Sequence, residues 1–271
     1  MSSKQLVVDA HAHLGGCCVF GVTTTEQDLI RRIDENEVDI TIVQPFPGNT
    51  DPRKAHDEIA TLCAKYPGRF VGLASLSPHG DRDFYRREVE RCIRELHFVG
   101  LKLHTIGHAV NPLSEDGDLV FRTGFELGIP VMVHTGPGVP FALPALCIPA
   151  ARSYPNLNII LAHAGWGIFS AEAQVAASVC GNLYLETSWC LGEDIRWMIS
   201  TIGPTRVMMG ADLPSNVPVE ISKYKALDLE QSVYDQVIGA TAAEVFGLTA
   251  IVKKLGGGKT AALHESLSSR A

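Results

Sequence analysis

The feature that most constrains this chain is an alternation. Short apolar runs rich in β-branched residues begin every 23 to 33 residues, with helical patterns between them. The strand candidates are Leu6–Asp9, Asp39–Gln44, Phe70–Ser75, Val99–His104, Ile129–His134, Leu157–His163, Leu183–Thr187 and Arg206–Gly210. Each is bounded by Gly, Pro, Asn or Asp. The helical stretches carry their own stop and start signals. Thr25–Glu35 opens on threonines suited to N-capping, Asp51-Pro52 starts a helix that Pro67-Gly68 ends, and Leu119–Leu127 stops at Gly128. Asp81–Leu96 places Phe84, Val89, Ile93 and Leu96 on one side. Ala145–Tyr154, Ser170–Val179 and Glu193–Ile202 complete the series. About eight βα units in one chain predict an α/β fold, a (β/α)8 TIM barrel, as a single domain over residues 1–250. A doubly wound open sheet is the alternative. Residues 251–271 read as a C-terminal tail with a glycine run, flexible or a short hinged helix.

Composition excludes several classes. The formal charge of −7, with no basic run, lacks the phosphate-neutralising footprint of a nucleic-acid binder. No apolar stretch reaches the roughly 18–20 residues of a membrane span. The first apolar stretch is too short and too broken by Asp9, His11 and His13 for a signal-peptide core. The seven cysteines form no C-x-x-C pair, and their odd number argues against a disulfide framework, so a reduced, cytoplasmic protein is expected.

Ten histidines is a high number for 271 residues, and their placement matters more than the number. Asp9, His11 and His13 alternate with period 2 at the end of the first strand, which predicts one shared face. Lys102 and His104 end the fourth strand, His134 the fifth and His163 the sixth, and Asp212 follows the eighth. In a parallel barrel all these ends lie on the C-terminal rim, where barrel enzymes keep their sites. A lone strand-end histidine is more often a polar core or surface residue than a ligand. Two inward imidazoles side by side are costly to bury unless something binds them. Imidazole and carboxylate are good ligands for zinc and its first-row neighbours, and bound water then ionises near neutral pH. Asp9 reads as a supporting or structural group. His56, His79, His97, His108 and His264 fall in helices, loops or the tail and are expected at the surface.

The motifs D-A-H-A-H, G-L-K-L-H, V-H-T-G, A-H-A-G-W-G and G-A-D-L-P, in this order, resemble the amidohydrolase superfamily and its metal-dependent amidohydrolase 2 branch. The resemblance runs over residues 6 to 248 and includes Ala242–Leu248, similar to the family's closing helix. It implies a barrel, one or two divalent ions, and hydrolysis of amide, lactone or related bonds. A subset of the family instead decarboxylates aromatic or unsaturated acids. By position, His11, His13, His134 and Asp212 would be the metal ligands, for Zn2+ above all. His163 would be a second-metal ligand or a proton-transfer group. Lys102 would be the strand-four lysine that is carbamylated in two-metal members, although His104 beside it is similar to one-metal members; one ion is favoured. TatD-type nucleases and histidinol-phosphatase-type phosphoesterases share H-x-H but need ligands these strand ends lack.

The expected reaction is therefore hydrolysis by a metal-activated water on a small-molecule carbonyl centre. Asp212 or His163 takes the proton, and Lys102 or His163 adds positive charge at the oxyanion. His104, Trp166 and Trp189 are expected at the substrate, with Phe46, Thr105 and Asn111 as further rim candidates. Few rim arginines are available to clamp a carboxylate, and Arg53 begins a helix. Cofactor-free, metal-dependent decarboxylation is the alternative reaction, and a non-catalytic metal-binding barrel is a third reading. The expected partners are a small-molecule substrate and a second copy in a homodimer, with no nucleic acid and no membrane.

Overall fold

The computed structural model describes residues 5–255. Nine strands form one sheet: β1 (Val8–Cys17), β2 (Val22–Thr24), β3 (Ile40–Pro45), β4 (Phe70–Ser75), β5 (Gly100–Leu103), β6 (Val131–His134), β7 (Ile159–Ala162), β8 (Leu183–Glu186) and β9 (Val207–Met208). Their order is β2-β1-β3-β4-β5-β6-β7-β8-β9. β2 pairs antiparallel with β1 as a hairpin, and every other neighbouring pair is parallel. The ends of the row meet. Ala10 N–H donates to Met209 O at 3.1 Å, Asp212 N–H donates to His11 O, and Ala12 bridges Asp212 in parallel. Eight parallel strands thus close into the expected (β/α)8 barrel, and the open-sheet alternative falls.

The helices start and stop where the sequence signals lie. α1 (Glu26–Glu35) is capped by Thr25, with Asp28 completing a reciprocal capping box. α2 (Pro52–Lys65) has Asp51 at its N-cap and Pro52 in its first turn. α3 (Arg82–Arg94) is capped by Asp81, although Phe84 is 37% exposed and does not join the buried side. α4 (Glu115–Leu127) ends on Gly128 at φ 66°, a left-handed stop that glycine adopts without a Cβ penalty. α5 (Ile148–Ser153), α6 (Ser170–Val179), α7 (Gly192–Ile202) and α8 (Val217–Ala226) continue the outer ring.

Two apolar layers hold the barrel. Leu101, Val131, Val133, Ile159, Leu161, Leu183 and Leu185 point outward onto helix residues such as Val89, Phe121 and Ile195. Ile40, Ile42, Leu73, Met132, Ile160 and Met208 fill the interior, and Ala242, Phe246 and Leu248 pack against them. Ala242 lies in α10 (Thr241–Val245), which follows α9 (Gln231–Asp235) and a π-helical turn at Gln236–Ala240, and Phe246 and Leu248 lie in the turn just after α10. Beyond α10 the backbone is again helical over 249–255, with Ile251, Val252 and Leu255 against the same core. The rest of the tail, His264 included, lies outside the described residues. Among the described residues no helix is long and apolar enough to cross a membrane. All seven cysteines are free thiols.

Candidate active site

A bulge aims the first two histidines. Val8 and Ala10 belong to the barrel interior, so strict alternation would turn His11 and His13 outward. The β1–β3 register shifts between Asp9 and Ala12, which resets the alternation. His11 and His13 then point inward and are almost completely buried. Asp9 does not share their role. Its Oδ1 accepts the N–H groups of His11 (3.1 Å) and Ala211 (2.8 Å), bracing the seam where β1 meets β9. Burial pushes its carboxyl up to about 8.

The other side chains arrive from strand ends or the turns just after them. His134 ends β6, and His163, Trp166, Trp189 and Asp212 sit in turns with φ between 55° and 67°. Non-glycine residues rarely occupy this left-handed region, at a cost of about 1–3 kcal/mol each, and their concentration on one rim is typical of a site.

Three donors form a triangle. His11 Nε2 and His13 Nε2 are 3.2 Å apart, and Asp212 Oδ1 lies 3.5 Å from the first and 3.2 Å from the second. His13 Nδ1 donates to Pro45 O at 3.1 Å, and His11 Nδ1 donates to Glu186 Oε2 at 2.8 Å. Both Nε2 atoms therefore carry lone pairs. Lys102 Nζ, 3.1 Å from His11 Nε2, and the Gln44 amide Nε2, 3.3 Å from His13 Nε2, meet part of this electron-rich set, and a cation among the three atoms would meet the rest. Ligands about 2.0–2.2 Å from one ion are separated by about this distance in a tetrahedral site. The donor set fits a divalent cation. Burial pushes Asp212 up, but His11, His13 and His163 outweigh that and hold it well below the usual carboxylate range. Trp189 Nε1–H fixes its other oxygen at 2.8 Å. Lys102 is buried beneath the triangle, with Nζ 3.1 Å from His11 Nε2, and burial pulls its ammonium down to about 8.

His134 stands beside that triangle and not within it. Its Nδ1 is 3.1 Å from His163 Nε2, and its ring stacks on His104 at 4.2 Å. Burial holds all three rings neutral: His163 falls to about 3, and His104 and His134 lie well below the ordinary histidine value. Both nitrogens of His163 are engaged, the second by Ser188 Oγ at 2.8 Å. His163 thus holds His134 while also lining the cavity into which the triangle opens.

The triangle opens onto a cavity of about 460 Å³. Its walls include Phe46, Trp166, Trp189, His104, His134 and, from the β1–β2 hairpin, Phe20. Trp166 and Trp189 stack at 5.3 Å, and Phe46 stacks on His13 at 4.4 Å. Lys102 does not line this cavity. Thr105 is spent on His134 O, and the Asn111 side chain accepts from Leu113 N–H, so neither is a wall residue.

Two histidines expected at the surface are interior: His56 is fully buried against Glu88, and His108 accepts the His104 N–H. Sequence reasoning also missed Glu186, Ser188, Gln44 and Phe20. The signal for Glu186 was present, since a carboxylate inside the apolar run Leu183–Thr187 needs a partner.

The family model described as amidohydrolase matches residues 38–248, more than half of the chain. The chain is 26% identical over 218 residues to a γ-resorcylate decarboxylase of Polaromonas sp. (strain JS666 / ATCC BAA-500), covering 61% of this chain and 66% of that one. It is 23% identical to a 2-keto-4-carboxy-3-hexenedioate hydratase of Sphingobium sp. (strain NBRC 103272 / SYK-6), covering 70% of each. Of the γ-resorcylate decarboxylases it matches first, the chain spans less than two thirds of the length, between 45% and 66%. A solved 5-carboxyvanillate decarboxylase from Novosphingobium aromaticivorans, complexed with manganese and 4-hydroxy-3-methoxy-5-nitrobenzoic acid, superposes with a TM-score of 0.73 at 18% identity, over 91% of this chain and 97% of that one. Barrel closure, the rim histidines and the match over most of the chain lead to one conclusion: this enzyme belongs to the amidohydrolase family.

Proposed function

We propose that the enzyme is a metal-dependent decarboxylase of small aromatic or unsaturated carboxylic acids. The observation that carries this reading is the His11–His13–Asp212 triangle opening onto an aromatic-walled cavity. The curated relatives favour it over the expected hydrolysis, being decarboxylases and a hydratase. A divalent cation held by His11, His13 and Asp212, with the unpartnered His134 Nε2 as the fourth candidate ligand, would supply Lewis acidity toward a substrate oxygen. Manganese, the ion in the solved relative, stands beside zinc as the metal to test.

The remaining chemistry falls to side chains. Trp166, Trp189 and Phe46 pack the flat faces of the acid. Their apolar surface excludes water, and a poorly solvated carboxylate leaves more readily as neutral carbon dioxide. Decarboxylation replaces the carboxylate on carbon by one proton. Asp212, held in place by Trp189, takes a proton from the incoming acid or from solvent and hands it over at the carbon losing the carboxyl group. Lys102 offsets the buried charge of Glu186 and Asp212 beneath the site.

Hydration is the second reading, favoured by the Sphingobium relative. The test is a panel of hydroxybenzoates, unsaturated 2-oxo acids, lactones and amides incubated with the Mn2+- or Zn2+-loaded enzyme. Carbon dioxide release from the aromatic acids is expected. Water addition to the oxo acids without carbon dioxide would move the assignment to hydration, and lactone or amide cleavage alone would return it to hydrolysis.

A further inference from the structure

We propose that Glu186 is the positioning residue that sets the tautomers on both sides of the site, acting directly on His11 and through Ser188 and His163 on His134. The metal part of this inference rests on the reading of the site given above.

Glu186 is fully buried, and four donors converge on it. Ser188 N–H reaches Oε1 at 2.6 Å, while His11 Nδ1 (2.8 Å), Ser188 Oγ (3.0 Å) and His163 N–H (3.1 Å) reach Oε2. A carboxylate so surrounded only accepts. The single Ser188 hydroxyl proton therefore goes to Glu186, and Ser188 Oγ must accept from His163 Nδ1–H at 2.8 Å. With that proton on Nδ1, neutral His163 has a bare Nε2, which accepts from His134 Nδ1–H at 3.1 Å. His134 is left with its lone pair on Nε2. This buried atom has no hydrogen-bond partner among the described residues, and His134 lines the cavity. One carboxylate thereby dictates that His11 and His134, 123 positions apart in sequence, both present bare Nε2 atoms. Such outer partners fix the tautomer of a metal-binding histidine, and their loss typically weakens metal binding 10–100-fold.

Ser188→Ala cuts only the longer branch. Without its acceptor, the His163–His134 pair is free to invert, putting a proton on His134 Nε2. Long-range 1H–15N spectra of metal-free, 15N-histidine-labelled protein read this directly, and titration with Mn2+ reads affinity. In the wild type, both His11 and His134 are expected to be bare at Nε2. In Ser188→Ala, His134 is expected to gain the Nε2 proton, His11 to stay unchanged, and Mn2+ affinity to fall at least tenfold. Glu186→Gln, which brings an amide donor into the ring of donors, should disturb both histidines. A wild-type His134 protonated at Nε2, or an unchanged His134 in Ser188→Ala, would overturn the relay. An inverted His134 with unchanged Mn2+ affinity supports the relay and removes His134 from the metal site. Bare wild-type Nε2 atoms in a protein that binds no Mn2+ also support the relay, and overturn the metal reading instead.

Discussion

His11–Glu186 and His56–Glu88 are both buried imidazole–carboxylate pairs 2.8 Å apart. Each also belongs to a group of three His, Cys, Asp or Glu side chains close enough to share an ion. The difference lies in the second ring nitrogen. His56 Nε2 accepts Ser75 N–H at 3.0 Å, and Arg91 grips Glu88 at 2.7 and 2.9 Å, so every strong donor and acceptor is matched and a cation is already in place. That cluster fastens α2 and α3 to the end of β4. His11 Nε2 instead faces His13 Nε2 and the Asp212 carboxylate, a second lone pair and a negative charge, with the Lys102 ammonium on one side only. A buried histidine pair is a fastening when both its nitrogens are satisfied and a site when one is left to point at other donors.

The sharpest way to break the comparison is to remove each histidine group in turn. His11→Ala with His13→Ala should abolish Mn2+ binding and lower turnover by more than about 10³-fold, with the far-ultraviolet circular dichroism spectrum retained. Metal binding and full activity in that variant would show that the triangle is misassigned. Glu88→Ala should do the opposite. Urea denaturation should show a loss of about 3 kcal/mol, as when one partner of a buried pair is removed, with Mn2+ affinity unchanged.

The same cluster has a pH signature. Burial pushes Glu88 up, but His56 and Arg91 outweigh it and hold its carboxyl at about 2, below an ordinary value of 4.5. Its contribution is therefore complete above about pH 4.5 and is lost as the pH falls toward 2. Glu88→Gln should flatten the stability curve in that window, and an unaltered acid limb would contradict the pairing. Gly210→Ala probes the active-site pair. A Cβ at Gly210 would lie 2.5 Å from Glu186 Oε1 and 2.9 Å from His11 Cβ, so Mn2+ affinity should fall roughly tenfold. Phe20→Ala is the mildest change. Phe20 is half exposed on the hairpin, so KM should rise several-fold with kcat unchanged; a fall in kcat alone would place it nearer the chemistry.

Much of the scaffold was legible because its signals are local. Thr25, Asp51 and Gly128 bound the helices they were expected to bound, and Ser170–Val179 matches α6 at both ends. The reaction was less legible. The strand-end motifs pointed first to hydrolysis, with decarboxylation as the alternative, whereas the curated relatives favour the alternative. Glu186 was hidden because a carboxylate in an apolar strand shows a need for partners without naming them. The hairpin that carries Phe20 was hidden because β2 is three residues long and pairs with an extension of β1.

The sequence by itself determined the barrel and the rim, since periodicity and caps act over a few residues and parallel strands must end on one side. The tertiary structure alone decided which of those residues meet. The bulge turns His11 and His13 inward, and Glu186 reaches His11 across 175 positions. His134 is tied through Nδ1 to His163, and His56 is consumed by Glu88. Each outcome depends on where a hydrogen bond finds its partner, and partners brought together by chain closure leave no periodic mark in the sequence.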